Sequence, residues 1–151
     1  MKLIAHRGNI DGPNSSYENS IEYIDNALKT NYDVEIDIWL KGDEFYLGHD
    51  HPQYQVSMDW LIGRKNNLWI HCKNIESLNF FSNSLINFNY FWHQKDDFTL
   101  TSQNYIWTYP GKLHTLKSII VMPEWDIKLE SFSNLHQLKC YGICSDYVVK
   151  I

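Results

Sequence analysis

Residues 33–39 read Asp-Val-Glu-Ile-Asp-Ile-Trp, a strict alternation that sends Val34, Ile36 and Ile38 to one face and Glu35, Asp37 and Trp39 to the other. Period two predicts a β-strand. Two carboxylates on one face of a strand with apolar flanks need a reason to be there. The same reading finds short runs rich in Ile, Val, Tyr and Trp at 2–5, 68–72, 89–92, 104–108, 118–122 and 141–144, each a strand candidate. Residues 44–48 return after a Gly42-Asp43 turn as a hairpin arm. Residues 18–30 place Ile21, Ile24, Ala27 and Leu28 at helical spacing, and 56–64, 75–86 and 127–138 carry helical periodicity or length. Gly8 to Ser16, with its Gly, Pro and Asn, reads as a loop. Strands alternating with helices predict an α/β domain with a parallel sheet, open or closed, and a single unit spanning 1–151.

Composition narrows the function classes. The chain of 151 residues is 44 % apolar and 21 % charged, a globular balance. It carries 13 Lys+Arg against 18 Asp+Glu, a net charge of −5. A nucleic-acid partner would call for a basic surplus to neutralise phosphates, so none is expected. No apolar run approaches the roughly 18 residues of a membrane helix, and Met1 to Ala5 offers no stretch long enough for a signal peptide. Cys72, Cys140 and Cys144 follow no disulfide framework and read as free thiols. A cytoplasmic location is the expectation. The 15 % aromatic content either fills a small core with large side chains or lines a cleft, with Trp39, Trp92 and Trp107 near strand ends.

The chemistry concentrates in the first third. His6-Arg7-Gly8 follows the first strand directly, Glu35 and Asp37 lie toward the end of the second, and His49-Asp50 closes the hairpin after it. Functional groups of parallel α/β folds gather at the C-terminal ends of strands, so these three elements can converge. Two inward carboxylates repel each other unless a cation lies between them, and oxygen ligands suit Mg2+ or Ca2+. Two histidines can exchange protons near neutral pH, and an arginine can grip a phosphate in bidentate fashion. Together they describe cleavage of a phosphate ester. The bland readings remain beside this one: a satisfied core histidine at His6, a solvated strand face at Glu35 and Asp37, and a polar turn at His49-Asp50-His51. His93, His114 and His136 have no partner pattern and read as structural or exposed.

Ile4-Ala5-His6-Arg7-Gly8, Glu18-Asn19-Ser20, Glu35-Ile36-Asp37 and Gly48-His49-Asp50 together resemble the glycerophosphodiester phosphodiesterase family of phospholipase-C-like enzymes. Glu35 follows His6 by 29 positions and His49 follows Asp37 by 12, close to the family's spacing. The resemblance implies a TIM-barrel fold. A complete barrel takes about 250 residues, so the expectation is a compact, reduced (β/α) TIM-type barrel of about 7–8 parallel strands with an open, shallow cleft. It also implies a general acid/base pair in His6 and His49, metal binding by Glu35 and Asp37, phosphate binding by Arg7, and support from Glu18, Asn19 and Asp50. The implied substrate is a small glycerophosphodiester cleaved to glycerol 3-phosphate and an alcohol. A lyase-type variant releasing a cyclic phosphate and a non-catalytic relative that binds a phosphorylated ligand are the alternatives. The oligomeric state is left open.

The family's strand I-E-x-K reads Ile70-His71-Cys72-Lys73 here. Lys73 matches the lysine that lies beside the phosphate in the family, while His71 stands where a third acidic ligand is expected. Imidazole favours Zn2+ or Mn2+ over Mg2+ or Ca2+. His71 is open to three readings: a metal ligand, a phosphate contact, or a sign of a degraded site. Glu124 is the candidate acidic substitute. Tyr141 to Tyr147 resembles the family's last strand and its G-[IV]-x-[ST]-D ending.

Overall fold

The computed structural model describes residues 1–151. Ten strands form one sheet: β1 (Lys2–His6), β2 (Asp33–Lys41), β3 (Glu44–Leu47), β4 (Tyr54–Val56), β5 (Leu68–Cys72), β6 (Tyr90–Phe91), β7 (Phe98–Leu100), β8 (Ile106–Thr108), β9 (Ser118–Val121) and β10 (Gly142–Ser145). There are three α-helices, α1 (Ile21–Lys29), α2 (Met58–Arg64) and α3 (Ile75–Asn83). Each starts on a side chain that accepts a free backbone N–H of the first turn: Ser20 from Tyr23, Ser57 from Trp60 and Asn74 from Ser77.

The sheet runs β4-β3-β2-β1-β10-β9-β8-β7, with β5 beside β2 and β6 beside β5. β1, β2, β5, β6, β8, β9 and β10 pair only in parallel with one another, whereas β3, β4 and β7 enter antiparallel. The expected TIM-type barrel of parallel strands with helices between them is therefore incorrect. The fold is a mixed, partly antiparallel α/β sheet curled into a half-barrel. No strand ladder joins β6 to β7 or β8. That seam is spanned by isolated bonds, the Ser102 amide to the Tyr90 carbonyl and the Thr99 hydroxyl to the Trp92 carbonyl, both 2.9 Å.

The connections account for the difference. All three α-helices lie in the first 83 residues. After β6 the connections are a hairpin, a loop and 3-10 turns, and the predicted helix at 127–138 is a 3-10 segment over Leu129–Gln137. Phe132 and Leu135 are buried there three positions apart, a spacing that three residues per turn serves as well as 3.6. With no helix over this part of the sheet, Phe98 (49 % exposed), Leu100 (61 %) and Leu113 (89 %) face solvent.

The alternation in β2 divides the molecule. Val34, Ile36 and Ile38 join Ile24, Leu61 and Phe81 in the larger apolar cluster, which binds α1 to α3 to the convex face. Ile4, Trp69, Phe91, Trp107, Ile119 and Cys144 form a second cluster, the floor of the concave face. Glu35 and Asp37 project from the same side of β2 as that floor. No helix of the chain is long and apolar enough to cross a membrane.

Candidate active site

Strand register assembles the centre. Parallel pairing sets His6 beside Glu35, and Asp37 beside His71. Side chains at paired positions leave the same face, so four groups from three strands meet at one end of the concave face. His6, Arg7, Glu35, His49, His71 and Lys73 line one cavity of about 400 Å³. Asp37 lies directly behind them with no exposure, and Glu35 is 3 % exposed.

The loop after β1 is held by the residues expected to brace it. Arg7 adopts φ +54° and Gly8 φ +90°. A Cβ at Gly8 would come within 2.9 Å of the Tyr23 ring and 3.2 Å of its backbone, so glycine is required for both angle and space. Glu18 accepts from Arg7 Nη1 at 3.1 Å and from Asn9 Nδ2 at 3.0 Å. Asn19 Nδ2 donates to Asp37 Oδ2 at 2.9 Å, and Asn19 Oδ1 accepts the Asp37 amide at 3.0 Å. Asp50, by contrast, is 85 % exposed and does not line the cavity; it holds His49 Nδ1 at 2.7 Å.

Each histidine has a defined second partner. His6 Nδ1 donates to Asp146 Oδ1 at 2.8 Å, which leaves Nε2 to face Glu35 Oε2 at 4.0 Å. His71 Nε2 donates to the His93 carbonyl at 2.9 Å. His71 Nδ1 then lies 3.0 Å from Asp37 Oδ1 and 3.7 Å from Glu35 Oε1. His49 sits on the loop that follows β3, where the Gly48 amide donates to the Asp37 carbonyl at 3.1 Å and Trp39 Nε1 donates to the Gly48 carbonyl at 2.6 Å. Trp39 thus fixes the His49 loop instead of lining the cleft.

The electrostatics are those of a crowded, largely buried cluster of charges. Burial and the neighbouring Asp37 charge raise the Glu35 carboxyl above its ordinary value. Burial would raise Asp37 as well, but His71, Arg7 and Lys73 hold it well below the usual carboxylate range. Burial lowers His6, and its bond to Asp146 with the Glu35 charge outweighs this and raises it. Partial burial lowers His49.

Glu35, Asp37 and His71 offer ligand atoms all within 4.8 Å of one another. Glu35 Oε2 and Asp37 Oδ1 are buried without a hydrogen-bond partner, a costly condition that a cation relieves. The residues present therefore fit a divalent ion. Glu124 is not among these groups: its carboxylate accepts from the Ser145 hydroxyl at 2.9 Å and the Asp146 amide at 2.8 Å.

Sequence reasoning missed several contributors. Asp146, the partner of His6, stands 140 positions away at the end of β10; its place after a strand end was the available signal. Asn9, fully buried, ties Glu18 to Asp146. His93, read as structural or exposed, lines the cavity and orients His71. Tyr109 and Trp125 add an aromatic edge to the cavity, their rings 6.2 Å apart and edge to face, and Trp107 lines it as well. The chain matches none of the protein-family models, curated proteins or solved structures with which it was compared.

Proposed function

We propose that this chain is a metal-dependent phosphodiesterase acting on a small phosphodiester of the glycerophosphodiester type, yielding glycerol 3-phosphate and an alcohol. The observation that carries the reading is the meeting of His6, His49, Arg7, Lys73 and Glu35 on one cavity of about 400 Å³, with Asp37 buried beside them. The motifs that hold them resemble those of glycerophosphodiester phosphodiesterases.

Glu35, Asp37 and His71 would hold the ion. A divalent cation there would neutralise negative charge on the phosphoryl oxygens. Arg7 and Lys73 share that task from the cavity wall, and both are already drawn inward by Asp37, at 3.0 and 3.4 Å. His6 suits the general base. Its Nδ1–H is committed to Asp146, so Nε2 is free to take the proton of the glycerol hydroxyl that attacks phosphorus, Asp146 stabilises the imidazolium that forms, and a water then opens the cyclic phosphate to glycerol 3-phosphate. His49, on the opposite hairpin loop, gives a proton to the departing alkoxide. A binding module would need neither transfer.

The test is phosphorus NMR of metal-stripped protein reloaded with single divalent ions and offered a panel of glycerophosphodiesters. Glycerol 3-phosphate as the product supports the reading. A cyclic phosphate would replace hydrolysis by the lyase-type reaction. No turnover across the panel with any ion would overturn the enzyme reading and leave ligand binding.

A further inference from the structure

We infer that His93, Gln94, Tyr109 and Trp125 form the subsite for the leaving alcohol, and that they suit it to an uncharged, hydroxyl-bearing ring of the sugar type. The inference rests on the phosphodiesterase reading above and names the part of the substrate which that reading leaves open.

Four rings make a continuous row from the buried cluster to the rim. His71 lies 6.1 Å from His93, His93 lies 6.1 Å from Tyr109, and Tyr109 lies 6.2 Å from Trp125, centroid to centroid. Exposure rises along the row: the two histidines are mostly covered, while Tyr109 and Trp125 are exposed. The row joins three strand ends, since His93 follows β6, Tyr109 follows β8 and Trp125 follows β9. All four rings line the cavity that Arg7 and Lys73 also line. A group attached to a phosphate held by that pair meets the row on its way to solvent.

The core does not account for the outer end of the row. Tyr109 and Trp125 belong to none of the apolar clusters of the fold. Large rings left in water at the edge of a cavity mark a binding surface.

Charge narrows the ligand. Glu35 is the only carboxylate that lines the cavity, and it belongs to the ion-binding cluster. Glu124, beside Trp125 in sequence, is turned onto the Ser145 hydroxyl and the Asp146 amide. Asp96 accepts from the His93 ring at 2.8 Å and from the Gln94 amide at 3.1 Å. A cationic alcohol would thus meet Arg7 and Lys73 and find no other carboxylate on the cavity wall. Cation–π attraction alone would have to hold it, and Tyr109 and Trp125, edge to face at 75°, make an open platform instead of a closed aromatic box.

A sugar-type ring suits the row on both its surfaces. Its C–H face lies against the negative face of an aromatic ring. Its hydroxyls meet the Gln94 side chain, whose amide both donates and accepts.

The first experiment uses the intact chain, 15N-labelled at tryptophan and free of substrate. It is titrated with the methyl glycosides of glucose, galactose and N-acetylglucosamine, and separately with choline. The Trp125 indole signal, identified by its loss in Trp125→Ala, should move with at least one glycoside and stay still with choline. The second compares kcat/KM for glycerol 3-phosphate diesters of the same sugars with that for glycerophosphocholine. The best sugar diester should be favoured by about tenfold or more, and Trp125→Ala and Gln94→Ala should each lower that ratio by about three- to tenfold. Choline moving the Trp125 signal more than any glycoside, no glycoside moving it, or a ratio near one would overturn the inference. So would a ratio unchanged in both variants. Glycoside binding at Trp125 without turnover of any diester would leave the ring-binding row standing and sink the phosphodiesterase reading.

Discussion

Asn19 and Asp37 exchange two hydrogen bonds across 18 positions of sequence, side chain to side chain at 2.9 Å and Asp37 backbone amide to Asn19 side chain at 3.0 Å. Both residues are buried, and Asn19 holds a left-handed backbone at φ +62°. The amide thereby fixes the carboxylate that lies deepest in the site. Asn19→Gly should remove the two bonds without adding backbone strain, costing about 1–3 kcal/mol of stability and weakening metal binding by about 10–100-fold. Asn19→Ala should cost more, because Ala tolerates positive φ poorly. Urea unfolding and metal titration of the two variants check both claims.

His6 and His49 are assigned to proton transfer and not to holding the fold. His6→Ala and His49→Ala should each lower kcat by about 10²–10⁴-fold with an unchanged circular dichroism spectrum. Asp146→Asn should lower kcat as well, since Asn cannot stabilise an imidazolium at His6 as a carboxylate does. Steady-state kinetics on a glycerophosphodiester reads all three, and full activity in His6→Ala would remove it from the reaction.

Gly48 carries φ +144°, and a Cβ there would collide with the His51 carbonyl oxygen. Gly48→Ala should therefore displace the loop bearing His49 and cost about 1–3 kcal/mol. Activity should fall further than the stability loss explains at 25 °C. Thermal unfolding beside kinetics distinguishes the two effects.

Trp125 is 61 % exposed and Tyr109 39 % exposed at the cavity mouth. Tyr109 packs on the His93 ring at 6.1 Å, whereas Trp125 packs on Tyr109, so Trp125→Ala should raise KM and leave kcat nearly unchanged. Stability should move by no more than about 0.5 kcal/mol, as for other surface positions. An equal fall in kcat would place Trp125 in the reaction itself.

The three thiols differ in burial. Burial pushes Cys72 up to about 12 and raises Cys144 well above its ordinary value. At pH 8 a thiol reagent should label Cys140 first in the native protein and all three after denaturation. The linkage has a definite sign. Below pH 9 these thiols are neutral in both states and cost nothing; from there toward about 12 the unfolded chain ionises Cys72 first, so native stability falls as pH rises. Unfolding free energies across that window measure it.

Local pattern determined the pieces. Alternation over 33–39 marks β2 and sends Glu35 and Asp37 to one side, because side chains of a strand alternate whatever the strand pairs with. The apolar spacing of Ile21, Ile24, Ala27 and Leu28 gives α1 in the same way. His6, Arg7, Glu18, Asn19 and His49 carry their chemistry in residue type and order, so their candidacy is legible without a fold.

Tertiary structure decided what those pieces make. Whether seven parallel-paired strands close into a barrel depends on what covers them, and after β6 the connections form no α-helix. The result is a half-barrel with β3, β4 and β7 antiparallel. His71 became a neighbour of Asp37 only through the register of β2 against β5, and Asp146 a partner of His6 only through the pairing of β1 with β10. Periodicity is a property of adjacent residues. Register and closure are set by packing between segments far apart in the chain, and that is why the candidate residues and their convergence were readable from the sequence, while the partners each one takes were not.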